Sequence, residues 1–159
     1  MNIKSRKSRK IPKSRKIPKS RKIPKHYYSK LSRKDKNKQI KSIKKSIKSY
    51  KNKKYIQRPK LKSFKSKESK WTSKFKKLYP NAKTLKDISK VTKINKSALL
   101  AVKKKGMGAY YGSGSRPNQT AESWGMARMY SYILGGPTRK YDKHITDKYN
   151  VKFKHNLKL

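Results

Sequence analysis

Three of the nine arginines in this chain, Arg116, Arg128 and Arg139, fall within residues 116–139, whereas lysine supplies the positive charge almost everywhere else. A guanidinium offers a planar fork of donors that matches two oxygens of a phosphate or carboxylate at once, which an ammonium cannot do. Arg116, Arg128, Arg139 and the adjoining Lys140 are therefore candidate phosphate contacts. The alternative at the same positions is structural, with Arg128 paired to Asp142 or Glu122. Upstream, glycines 106, 108, 112 and 114 surround Tyr110 and Tyr111 and read as a flexible loop leading to a helix capped by Thr120. Glycine-rich backbone before a helix N-terminus can hold an anion. It is not a nucleotide-binding P-loop, because no GK[ST] ending follows.

A second group of candidates lies in TLKDISKVTKINKSALLAV, residues 84–102. Leu85, Ser89, Ile94 and Leu99 occupy the apolar and small positions of a helix-turn-helix. Lys93 departs from that pattern, since glycine is common in the turn. The polar positions a recognition helix would present are Asn95, Lys96, Ser97, Lys103, Lys104 and Lys105. Only Asn95 has a defined base partner, adenine. An ordinary helical hairpin without groove contact is the alternative.

Catalytic chemistry is poorly supplied. There are 3 histidines and 6 acidic residues. Asp142 and His144 stand two apart without visible further ligands. We expect no enzyme, no metal site and no cofactor.

The candidates sit in an extreme charge background. With 50 Lys and Arg against 6 Asp and Glu, the net charge is +44. Such a chain repels itself when compact and is suited to a polyanion: DNA, RNA or an anionic membrane surface. Residues 1–70 carry +28 and residues 71–159 carry +16. SRKIPK repeats at 8–13, 14–19 and 20–25 place a proline every six residues, which forbids continuous helix and favours extended backbone. Arg6, Arg9, Arg15 and Arg21 join the candidate phosphate contacts, and Ser8, Ser14 and Ser20 are candidate phosphorylation sites. Ile40, Ile43, Ile47 and Tyr50 follow helical spacing in a lysine-rich segment, which predicts a basic amphipathic helix formed on meeting a partner. The stripe lacks the Trp, Phe and Leu of membrane-surface helices, so a membrane partner is not expected. No apolar run approaches the roughly 20 residues of a membrane span, and the absence of cysteine removes disulfides.

These readings predict a mainly α protein: a small helical module with a helix-turn-helix-like hairpin, preceded by a disordered basic arm. The expected divisions are the arm at 1–70, the helical domain at 71–150, and a tail or edge strand at 151–159. Within the module, helices are predicted over 71–79, 85–91, 96–105 and 120–134, ended respectively by Pro80, the link at Ile94, Gly106 and Gly135.

The stretch GAYYGSGSRPNQTAESWGMARMYSYILGG, followed by RKYDKHI, resembles an uncharacterised domain of large DNA viruses and tailed phages. The resemblance covers roughly 71–148 and is most specific in RPNQT…SWGMAR. It implies a viral source and a virion- or genome-associated protein, located in the virion and in the host nucleus or viral factory. Together with the charge, the leading expectation is a protein that condenses or packages genomic nucleic acid through sequence-independent phosphate contacts, DNA favoured over RNA. The alternatives are a structural virion or scaffold protein docking on a capsid or core protein, and a sequence-reading helix-turn-helix regulator.

Overall fold

A computed structural model of the protein describes residues 22–158. Arg6, Arg9, Arg15, Arg21 and most of the SRKIPK repeat lie outside the described residues. After a short 3-10 turn at Lys25–Tyr27, seven helices follow among the described residues: α1 (Arg33–Lys51), α2 (Lys70–Leu78), α3 (Leu85–Thr92), α4 (Lys96–Ser113), α5 (Ala121–Leu134), α6 (Thr138–Tyr141) and α7 (Lys143–Tyr149). The mainly α fold expected from the sequence is observed.

Local signals set most helix starts. Thr84 and Asp87 form a reciprocal capping box at α3, and Thr120 does the same at α5 with Ser123 as its partner. Each satisfies two backbone donors that a helix start would leave unpaired. Gly135, left-handed at φ +100°, ends α5.

α4 runs through the middle of the molecule, packed against α1, α3, α5 and α7. Leu99, Val102, Ile88, Phe75, Met129, Tyr132, Ile133 and Leu134 form the buried core around it. Gly106 does not end this helix, and the expected glycine loop is its second half. The reason is close packing. A Cβ on Gly106 would lie 2.7 Å from the Cα of Gly125, so α4 and α5 touch nearly backbone to backbone. Gly108 and Gly112 are likewise covered by the ring of Tyr50 from α1. These glycines are helix-packing sites, not an anion-holding loop.

The turn between α3 and α4 has the helix-turn-helix outline, with Ile94 buried and the Ser89 hydroxyl donating to the Ile94 carbonyl at 2.6 Å. Lys93 sits there at φ +57°, ψ +25°. A left-handed conformation costs a non-glycine residue about 1–2 kcal/mol, and glycine returns part of this as unfolded-state entropy. Lys93→Gly is therefore expected to stabilise the protein by about 0.5–1 kcal/mol, read as a higher urea midpoint with an unchanged slope.

The division at residue 70 is corrected. Residues 22–69 belong to the folded body: α1 packs on α4, and Ile43 and Leu61 are almost completely buried. The sequence reads as unable to fold because α1 is anchored mostly by polar groups. Buried Gln39 donates to the carbonyls of Tyr27 and Ser115, and buried Ser46 donates to the Tyr111 carbonyl at 3.0 Å. Such bonds are invisible to hydrophobic patterning.

The tail is neither a strand nor frayed over its described length. Residues 151–158 cross the end of α5 as an extended strap, with the Leu157 N–H donating to the Leu134 carbonyl at 2.7 Å. Val151, Phe153 and Leu157 pack on the core while Lys152, Lys154 and Lys158 face outward. Leu78 of α2 is exposed.

Candidate nucleic-acid interface

α1 carries nine Lys and Arg residues, all exposed. Its buried face bears Asp35, Gln39, Ile43 and Ser46. Along an exposed flank of the helix Lys34, Lys38, Lys41, Lys45 and Lys48 succeed one another at spacings of four, three, four and three, which keeps them on one side of a helix. At 1.5 Å per residue the helix is about 28 Å long. This lysine face was absent from the sequence-derived candidates. Its signal was present as the complement of the isoleucine spacing, but the amphipathic helix predicted there was expected to form only on meeting a partner, so its lysines were not ranked as contacts of a folded body.

Asp35 is the only acidic residue of α1, and it points inward. It accepts from the Ser63 hydroxyl at 2.6 Å and the Ser63 backbone N–H at 2.9 Å. Those two hydrogen bonds hold its carboxyl below the usual carboxylate range. All six side-chain carboxylates are committed in this way. Glu68 bonds Lys76 and Ser73, Asp87 completes its capping box, Glu122 pairs with Lys103, Asp142 with Arg128 and Asp147 with Lys143. The cationic surface therefore has no free side-chain carboxylate to oppose it.

Two of the arginine candidates are corrected. Arg128 donates from Nε and Nη2 to both oxygens of fully buried Asp142, at 2.9 and 2.8 Å. That bidentate pair ties α5 to the α6–α7 junction. Arg139 donates to the carbonyls of Tyr132, Ile133 and His155 and to Asn156, and lies 3.7 Å over the Phe153 ring. It closes the C-terminal end of α5 and holds the strap, with its fork already occupied. Arg116 is exposed, as are Lys96, Lys104, Lys105 and Lys140. Lys103 is engaged with Glu122.

Asn95 is exposed, but its Oδ1 caps α4 by accepting from the Ser97 N–H at 2.8 Å. Bidentate adenine recognition needs that oxygen as well as the amide nitrogen. Lys96, Lys104 and Lys105 are exposed on α4, a helix packed by four others.

The RPNQT segment is a clasp. Asn118, left-handed at φ +55°, accepts from the Leu61 N–H at 2.7 Å and donates to the carbonyls of Leu61 and Phe64, both at 2.9 Å. Gln119 reaches Ser66, and Thr120 starts α5. The most specific motif in the chain thus fastens residues 61–66 to the start of α5. Arg58, also missed from sequence, donates to the Tyr110 carbonyl and stacks 3.7 Å from its ring centroid. Burial lowers the pKa of its guanidinium, opposed by the adjacent Tyr110.

Fold and surface together define a small all-helical domain with a cationic exterior. The chain belongs to the Family of unknown function (DUF5824), whose model matches residues 24–152. That span begins ahead of α1, so the family domain includes the lysine-faced helix. No curated protein matches the chain, and no solved structure matches it.

Proposed function

We propose that this protein binds nucleic acid through sequence-independent phosphate contacts, with the exposed lysine face of α1 as the main contact of the folded body. The observation that carries this reading is the pairing or burial of every side-chain carboxylate beside a helix whose cations are all exposed. Five lysines over about 21 Å of helix can meet DNA phosphates, which supply a charge about every 1.7 Å of axis. The basic residues of the N-terminal repeat add further phosphate contacts of the same chemistry. Lysine suits this task, because its hydrated point charge neutralises phosphate without discriminating bases. Base reading through α4 is not part of the proposal, since Asn95 is occupied and the helix is packed on several sides.

The resemblance to a domain of DNA viruses and phages extends the proposal to its finer form. The protein condenses or packages a viral genome, DNA rather than RNA, and accompanies it in the virion and at the host-cell site of assembly.

The test is a binding titration of the full chain against two duplexes of unrelated sequence across a salt series. Between about 50 and 200 mM salt the affinity is expected to fall by about 10³-fold or more, as for six or more neutralised phosphates. The two duplexes should bind equally within a few fold. A flat salt response, or a large preference for one duplex, would overturn the proposal.

A further inference from the structure

We infer that the C-terminal end of α1 is a base-stacking station for single-stranded nucleic acid, with Tyr55 as the platform. This rests on the nucleic-acid reading above and deepens it by naming the form of nucleic acid this end takes.

Tyr55 is 65% exposed. An aromatic side chain left so open is commonly a loose surface ring. This one is braced. Its ring meets Tyr50 at 6.0 Å and Tyr111 at 5.1 Å between centroids, edge-on to both. Tyr50 is itself fixed, stacked at 20° on Tyr111 and seated over Gly108 and Gly112 of α4. Tyr111 in turn meets Tyr110, which Arg58 covers. Tyr55 is the outermost ring of a supported aromatic cluster. Tyr141, also largely exposed, makes no aromatic contact among the described residues.

Backbone geometry puts Tyr55 there. α1 closes with the Lys53 N–H donating to the Tyr50 carbonyl and the Lys54 N–H to the Ser49 carbonyl, both at 3.0 Å. Lys53 takes a left-handed conformation at φ +56°. The chain reverses and Tyr55 returns over Tyr50. Lys48, Lys51, Lys53 and Lys54, all exposed, precede it in sequence.

Exposed lysines next to a held, open aromatic ring form the kind of arrangement that binds unpaired strands, where lysines take the backbone and a base stacks on the ring. A duplex keeps its base faces within its own stack and offers only phosphates. The lysine face should therefore serve both forms, and Tyr55 only the single strand.

The full chain is titrated with an oligothymidylate of about 20 nucleotides and with a duplex of equal length, each over several salt concentrations. Tyr55→Ala is expected to weaken oligothymidylate binding roughly tenfold and leave duplex binding within about twofold. Its salt dependence should not change, because stacking releases no counterions. Tyr55→Phe, which keeps the ring, should bind as the unaltered protein does. Equal loss on both probes, no loss on oligothymidylate, or failure of Tyr55→Phe to retain affinity would each overturn the inference. If Tyr55→Ala leaves oligothymidylate binding unchanged while duplex binding stays salt-dependent, the stacking site fails and the phosphate-binding function stands. If the unaltered chain binds neither probe, both fall together.

Discussion

Replacing Asp142 by alanine is expected to lower folding stability by about 3 kcal/mol or more, at the lower end of the range for breaking a buried ion pair. Asp142 is completely buried and receives both donors of the Arg128 fork. Without it, Arg128 remains mostly enclosed between α5 and the α6–α7 junction with no anion to meet. The loss arises chiefly from that stranded cation, and less from the pair's own net attraction. Chemical denaturation of the single variant and of the double variant Arg128→Met with Asp142→Leu separates the two contributions. The double variant should recover most of the lost stability, since both charges are gone and similar volume remains. If the double variant is as unstable as Asp142→Ala alone, the pair's own attraction carries the stability and the stranded-charge account is wrong. Nucleic-acid affinity of the double variant should be near that of the unaltered chain, which would place Arg128 outside the interface.

The second large effect concerns binding. Replacing Lys34, Lys38, Lys41, Lys45 and Lys48 together by glutamine should reduce the slope of log affinity against log salt by about four to five, near one for each phosphate no longer neutralised. At moderate salt this corresponds to a drop of at least about 100-fold in affinity. Arginine at the same five positions should preserve both affinity and slope, because the charge is kept. Replacing the exposed lysines of α3, Lys86 and Lys90, with the nearby Lys83, tests whether position matters beyond net charge. If that set lowers the slope as much per residue as the α1 set, binding is spread over the whole surface and α1 has no special part. Folding should survive the α1 replacements, since all five side chains are exposed.

Much of the helical layout was legible in the residues. Thr120 and Gly135 announce helix ends through short-range hydrogen bonding and act there as expected, and Thr84 with Asp87 gives the same kind of signal at α3. Gly106 misled because the same residue that stops a helix also permits two helices to touch, and sequence does not say whether a second helix is there. Gly125 is that second helix's contribution, 19 positions later in the chain. The segment 33–51 misled for a different reason. Its apolar stripe is thin, and its attachment relies on Asp35, Gln39 and Ser46 finding Ser63, Ser115 and Tyr111 across distances of 28, 76 and 65 residues. Pairings so far apart have no local signature.

Composition alone determines that this chain is a polycation with few carboxylates, and spacing alone determines that it is built from helices. Both follow from properties that each residue carries wherever it stands: its charge, its backbone preferences and its reach to near neighbours. Which cations are free to meet a polyanion was decided only by the tertiary structure. Arg128 and Arg139, the most suggestive residues by type, are consumed by Asp142 and by the carbonyls at the end of α5. The plain lysines of α1 are left open because the buried polar face of that helix turns them outward. A charged group is available for binding only if no other part of the chain satisfies it first, and that depends on contacts between residues far apart in sequence.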